Sequence, residues 1–190
     1  MNGGKKESVA REAAGTILWG VVAVSLALLL RATVAQSYHV PSPSMENTLL
    51  VGDHMIVEKL TPVFGTIERG DVLVFANPID SHGFDLVKRV VGLPGEEVRV
   101  VDGTVYIDGA RLDEPYAVYD PRLPARRYYG PARIPTKHYF MMGDNRDHSF
   151  DSRGWGFVAE DDVIGRAVII HWSWKDGGWS VRWDRLGIRL

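Results

Sequence analysis

The sequence of 190 residues contains no cysteine, which in one step excludes disulfides, thiolate zinc sites and a cysteine nucleophile. It has no excess of either charge. The 22 Lys and Arg stand against 24 Asp and Glu, a net charge of −2, so nothing argues for nucleic acid as a partner. No internal repeat is evident. The six histidines (39, 54, 82, 138, 148 and 171) form no pair with metal-ligand spacing and a matching carboxylate, so neither a metal nor another cofactor is expected. A Gly-x-Ser-x-Gly nucleophile elbow is missing as well. What remains is globular composition, 45% hydrophobic and 24% charged, in a chain long enough for one core with an appendage.

Long apolar runs are scarce, and the one present lies near the N-terminus. From Ile17 to Leu30 the chain carries no charge; counted from Ala13 to Ala35 the stretch is 23 residues, broken only by Arg31. A helix needs roughly 20 mostly apolar residues to cross a bilayer, and an arginine near its far end can snorkel to the headgroups. Three readings compete. A cleaved secretory signal has a passable cleavage site at Thr33-Val34-Ala35. A buried core helix fits less well, because the run is apolar on all faces. A retained anchor fits best. Lys5, Lys6 and Arg11 precede the run, and after Arg31 the next cation is Lys59. The positive-inside rule then puts residues 1–12 in the cytoplasm, a transmembrane anchor over 13–35, and residues 36–190 outside the cell membrane.

Beyond the anchor the texture is that of short strands punctuated by Gly, Asp and Pro. Strands are predicted over His54–Leu60, Asp71–Ala76, Asp85–Leu93, Glu97–Val101, Thr104–Ile107, Tyr139–Met142 and Arg166–Trp174. Asp102-Gly103 marks a hairpin, because Gly tolerates the positive φ of a tight primed turn. Lys175-Asp176-Gly177-Gly178 looks like a second turn, pairing Arg166–Trp174 with Trp179–Trp183, and Glu160–Ile164 can make one helical turn. Five prolines between Asp113 and Thr136 mark a long loop or excursion over 113–136. The expected fold is mainly β, a partly open β-barrel or folded antiparallel sheets on a single N-terminal transmembrane helix.

Three stretches carry candidate chemistry. In Val40–Leu50, Pro41 and Pro43 fix φ at alternate positions, so the segment is expected to be stiff, extended and non-helical while presenting Ser42 and Ser44. A serine hydroxyl needs a base to become a nucleophile. His148-Ser149 near Asp147 and Asp151 resembles a triad only superficially, since neighbours in sequence seldom converge on one point. The other available base is a lysine neutralised by burial. Lys88 sits in the apolar run Asp85–Glu96, where full burial can lower an amine's pKa by up to ~3–5 units. Leu86, Lys88 and Val90 share a face at period two, but Val87 and Val91 flank Arg89 equally. Periodicity therefore leaves open which of the two cations faces inward; chemistry favours Lys88, because a guanidinium is never deprotonated. A lysine snorkelling at a strand edge is the plain alternative. The third stretch, Met142–Phe157, alternates Asp and Arg in a way that can tie a loop to itself, with Ser149 able to orient a lysine amine. A solvated turn explains its charges but not its apolar and aromatic ends.

Pro41-Ser42-Pro43-Ser44-Met45, Lys88-Arg89-Val90-Val91-Gly92-Leu93-Pro94-Gly95-Glu96 and Gly143 to Arg153, in that order and spacing, resemble the bacterial type I signal peptidases. Gly52-Asp53 and Arg69-Gly70-Asp71-Val72 match as well, and the resemblance reaches roughly to Trp174 except over the excursion. It implies a Ser/Lys serine endopeptidase whose catalytic β domain spans 36–190. Ser44 would be the nucleophile and Lys88 the general base, with the Ser44 N–H and Ser42 hydroxyl as oxyanion hole. Ser149 would aim the Lys88 amine, and Asp151 and Arg153 would support the loop. Val40, Met45, Leu49, Leu86 and Val87 match positions that form shallow pockets for small residues at the first and third sites before the cut. The implied partners are the signal peptides of exported preproteins and the lipid bilayer. Pro43, in place of a glycine in some members, and Glu46-Asn47 depart from the pattern without touching a catalytic group. Ala35 to Ser44 spans at most ~30 Å, keeping Ser44 near the outer face. Trp172, Trp174, Trp179 and Trp183 suit either the headgroup region or packing across a hairpin. Two rivals stand beside this reading: a soluble self-cleaving Ser/Lys peptidase, and a non-catalytic tethered β domain that binds a partner.

Overall fold

The computed structural model describes residues 15–28, 33–80, 83–123, 128–175 and 180–190, and the chain divides into two units, 1–36 and 37–190. In the first, residues 15–28 are helical (α1) and hold their large apolar side chains outward, Trp19 at 73% exposure. Among the described residues no helix is long and apolar enough to cross a membrane. Residues 13, 14 and 29–32 of the expected anchor, and the expected cytoplasmic segment 1–12, lie outside the described residues.

Twelve strands are described: β1 (Ala35–His39), β2 (Asp53–Glu58), β3 (Val72–Phe75), β4 (Leu86–Gly92), β5 (Glu97–Val101), β6 (Thr104–Ile107), β7 (Ala110–Arg111), β8 (Tyr129–Arg133), β9 (His138–Met142), β10 (Val158–Ala159), β11 (Val163–Lys175) and β12 (Ser180–Val181). The larger sheet runs β1-β2-β11-β3-β4-β9-β10 with β12 against β11; the smaller runs β7-β6-β5-β8. The β2–β11, β11–β3, β3–β4, β4–β9 and β9–β10 ladders are all antiparallel. The larger sheet is strongly curled. Four ladder steps separate β1 from β4, about 19 Å in a flat sheet at ~4.8 Å each. Yet the Tyr38 hydroxyl on β1 donates to Asp85 Oδ2, just before β4, at 3.2 Å. Side chains cannot span that gap, so the sheet itself bends.

All seven predicted strands form, β5 and β6 with the predicted ends. Their turn has φ of 46° at Asp102 and 81° at Gly103, the positive pair a primed hairpin turn requires. The excursion is not all loop. Tyr129–Arg133 forms β8 and pairs with β5, and Pro131 is tolerated there because β8 is an edge strand. The turn expected over Glu160–Ile164 is a 3-10 turn over Glu160–Asp162, after which Val163 already begins β11. Asp176–Trp179 lie outside the described residues, but Trp174 and Lys175 pair with Val181 and Ser180 across them. Trp172 touches both Trp174 and Trp183, with ring centroids 5.5 and 5.9 Å apart, while Trp183 itself is mostly exposed.

Apolar side chains collect in three clusters. Val40, Met45 and Leu49 pack with Met55, Val57, Val72, Val74, Ala167 and Ile170, placing the segment around Ser44 on β2, β3 and β11. Each of these Val, Leu, Ile and Met side chains contributes roughly 1.5–3 kcal/mol on burial. A second cluster lies between β3, β4 and β9, and a third joins β9 to the smaller sheet. One buried ion pair closes the chain on itself. Arg185 Nη2 donates to Asp53 Oδ2 at 2.6 Å and to the Thr48 carbonyl at 2.8 Å, pinning the stretch that follows Ser44. Burial alone would raise the Asp53 carboxyl pKa; Arg185, Ser173 and the Leu50 amide outweigh it and hold the pKa low.

Candidate active site

Ser44 lies on a 3-10 turn over Pro43–Met45, which corrects the expectation of a wholly extended segment. Ser42 is extended (φ −130°, ψ 154°), but Pro43 opens the turn. A proline is tolerated at a first helical position because the N–H it lacks has no intrahelical partner anyway. The turn lifts Ser44 toward β4. There the Lys88 amine donates to Ser44 Oγ at 2.8 Å and to its neighbour's carbonyl, Val87 O, at 2.9 Å. Ser42 Oγ stands 3.2 Å from Ser44 Oγ. The pair is dry, Ser44 being 6% and Lys88 4% exposed. Burial pushes the Lys88 pKa down to about 8, against the opposing pull of the Asp151 and Asp144 carboxylates.

Period two demanded that one of Lys88 and Arg89 face solvent, but from Lys88 to Gly92 every residue of β4 is buried. Arg89 spends its charge on structure. Its Nε and Nη2 grip Asp144 at 2.9 and 2.6 Å, its Nη1 donates to Gly70 O, and its guanidinium lies 4.1 Å above the Tyr116 ring. Thr48 donates to the same carboxylate at 2.5 Å.

The loop from Gly143 to Arg153 is tied partly to itself and partly outward. Asp151 accepts from Arg153 Nε and Nη2, both at 2.8 Å, and from the Gly143 amide at 3.1 Å, and it caps the short helix Ser152–Trp155. Asp144 and Arg146 instead reach outside the loop, to Arg89 and, at 2.6 Å, to Glu114 of the excursion. The bond expected from Ser149 to the Lys88 amine is not formed. Ser149 Oγ is buried without a hydrogen-bond partner among the described residues, and the amine turns to Ser44 and Val87 O instead. Ser149 packs over Gly143, where a Cβ would overlap both its Oγ and the Ser44 carbonyl, so glycine alone lets the loop approach so closely. His148 lies 3.5 Å from Asp120, away from any triad.

Of the five expected pocket residues, Val40, Met45 and Leu49 are at most 1% exposed and belong to the first core cluster, with Val87 packed against it. Leu86 falls in the second cluster and keeps, like Val87, a partly open surface. Among the described residues no group of three or more His, Asp or Glu is placed to hold a metal ion. Sequence reasoning missed Asp144, Tyr116, Glu114 and Asn145 as neighbours of the site. No sequence signal marked them: that Arg89 is buried beside Lys88, and so needs an acidic partner, emerges only from the structure.

A family model described as signal peptidase, peptidase S26 matches residues 13–172. The chain is 43% identical over 157 residues to a probable signal peptidase I-2 of a Synechocystis species, covering 80% of this chain and 70% of that protein. It is 35% identical over 182 residues to a signal peptidase I of Bacillus amyloliquefaciens, covering 90% and 93%. A signal peptidase I structure from Enterococcus faecalis aligns with a TM-score of 0.46 at 33% identity, covering 53% of this chain and 96% of that one. The chain belongs to the signal peptidase family, peptidase S26, and is a serine endopeptidase.

Proposed function

We propose that this chain is a membrane-anchored signal peptidase that removes the signal peptides of exported preproteins after an Ala-x-Ala sequence, using Ser44 and Lys88. The observation that carries the reading is the buried 2.8 Å hydrogen bond between the Lys88 amine and Ser44 Oγ. In the amine's neutral form it takes the Ser44 proton as Oγ attacks the carbonyl of the residue before the cut. The Ser44 N–H and the Ser42 hydroxyl receive the oxyanion, and one such donor is typically worth ~2.7–4 kcal/mol. The proton passes to the departing amine, leaving an acyl ester on Ser44. Lys88 then deprotonates water, which attacks the ester and frees the acid while Ser44 regains its proton. Leu86 and Val87 line the pockets over the floor of Val40, Met45 and Leu49, and a floor this rigid admits small side chains and rejects long ones by volume. Asp151 and Arg153 hold the loop that carries Ser149.

The anchor reading is supported by α1, whose uncharged residues 15–28 expose more apolar surface than a soluble helix keeps. It puts the N-terminus in the cytoplasm and the domain outside the cell membrane. Membranes from cells producing the full chain should cleave a preprotein carrying Ala-x-Ala. Ser44→Ala and Lys88→Met membranes should not, with rates down by at least about a thousandfold. Cleavage by either variant at near-parental rate would remove the dyad and revive the partner-binding reading; activity confined to the soluble fraction would remove the anchor.

A further inference from the structure

We infer that Asn145 is a positioning residue that orients the peptide planes on both sides of Ser44, and with them the Ser44 N–H and the Cα–Cβ bond that carries its hydroxyl; this rests on the reading of Ser44 as nucleophile. Asn145 is 8% exposed and reaches the Ser44 segment twice. Its side-chain Nδ2 donates to Pro43 O at 3.2 Å, and its backbone N–H donates to Ser44 O at 3.1 Å. A carbonyl only accepts, so these partners fix which end of the amide faces the turn. The two carbonyls belong to the two peptide planes that flank the Ser44 Cα. In a planar trans peptide the N–H points opposite to the C=O, so holding Pro43 O sets the direction of the Ser44 N–H. Holding Ser44 O fixes the plane on the other side. With the Glu46 amide, which also donates to Pro43 O at 3.1 Å, the two Asn145 bonds hold both planes and so the Cα–Cβ bond of Ser44, from which the Lys88 amine at 2.8 Å selects the rotamer of Oγ.

Asn145 can serve as a fixed point because it is itself braced. Val118 of the excursion makes a parallel bridge to it, the Val118 amide donating to Asp144 O at 2.8 Å and the Arg146 amide to Val118 O at 2.9 Å. The His148 amide occupies the Asn145 carbonyl at 3.2 Å. On either side Asp144 is gripped by Arg89, and Arg146 by Glu114. The excursion thus reaches the Ser44 turn through this asparagine, as it reaches β4 through Tyr116 over Arg89.

The test is single-turnover cleavage of an Ala-x-Ala peptide with the full-length enzyme in increasing excess, using parent, Asn145→Ala, Asn145→Asp and Ser44→Ala. At saturating enzyme the rate reports the chemical step, and a misfolded fraction shifts only the enzyme concentration needed to saturate. Asn145→Asp keeps the shape but cannot donate to Pro43 O. Both Asn145 variants are expected to lower the plateau rate by about tenfold to a hundredfold, the scale on which small misplacements cost rate, with half-saturation within about threefold of the parent. Plateau rates within twofold of the parent in Asn145→Asp would overturn the inference, and so would a shift in half-saturation alone. If Asn145→Ala does not fold, Asn145→Asp decides. Cleavage by Ser44→Ala would instead remove the underlying reading.

Discussion

At Lys88, burial and two carboxylates pull the amine's proton affinity in opposite directions, and burial prevails at about 8 against an ordinary 10.5. Below pH 8 the folded and unfolded chains both hold the proton, and the folded one bears the full cost of a buried ammonium. Between about 8 and 10.5 the folded amine is neutral while the unfolded one is still charged. The unfolded state then binds more protons, so stability climbs with pH across that window. Lys88→Met should therefore be more stable than the parent at pH 7 by about 2–3 kcal/mol and should lose the climb, as read by chemical denaturation at pH 7 and 10. On the proposal that Lys88 is the general base, cleavage by the parent should rise through pH ~8 as its amine is freed. A rise centred near 10.5 would mean that the amine is solvated.

β4 carries a titrating cation and a permanent one side by side, and the permanent one shields the other. The Asp144 carboxylate raises the Lys88 pKa, and the Arg89 fork is its counter-ion. Arg89→Met leaves that buried carboxylate uncompensated. It is expected to cost about 3–5 kcal/mol and to move the pH–activity midpoint upward. Adding Asp144→Asn should restore most of the stability and bring the midpoint back; a single variant with the parental midpoint would count against the shielding. The same strand shows why some features were legible in the sequence and others were not. The Asp102-Gly103 hairpin is local, and its two residues dictate the turn. Alternation along β4 could not assign Lys88 and Arg89, because period two speaks only when one face is wet. β8 was hidden because its pairing with β5 is remote and Pro131 reads as a breaker. The buried Arg–carboxylate ties were hidden for a similar reason: Arg89 and Asp144 lie 55 residues apart, and Arg185 and Asp53 lie 132 apart. That Val40–Leu50, the lysine strand and the loop at 143–153 meet was legible, because each packs unusual chemistry into a few consecutive residues.

Across the whole molecule, Ser44 follows β1 and Lys88 rides on β4, strands that share no ladder and are separated by three others. No single element holds their 2.8 Å contact; the bend of the sheet contributes with the Tyr38–Asp85 bridge over the same gap, beside the packing of Met45 in the first cluster and the Asn145 bonds. Strand pairing is comparatively indifferent to a slight flattening, since each ladder step gives only a little. The contact between the ends accumulates every step. The serine–lysine distance is therefore a curvature gauge, and it should fail early. In rising urea, cleavage should be lost well before far-ultraviolet circular dichroism reports loss of strands, and Tyr38→Phe should widen the gap between the two transitions. Coincident loss of both in the parent would show that the bend and the ladders melt as one. On the proposed Ser44–Lys88 reading, activity is set by the shape of a surface, so substitutions far from Ser44 that alter strand twist should tune the rate without touching the site.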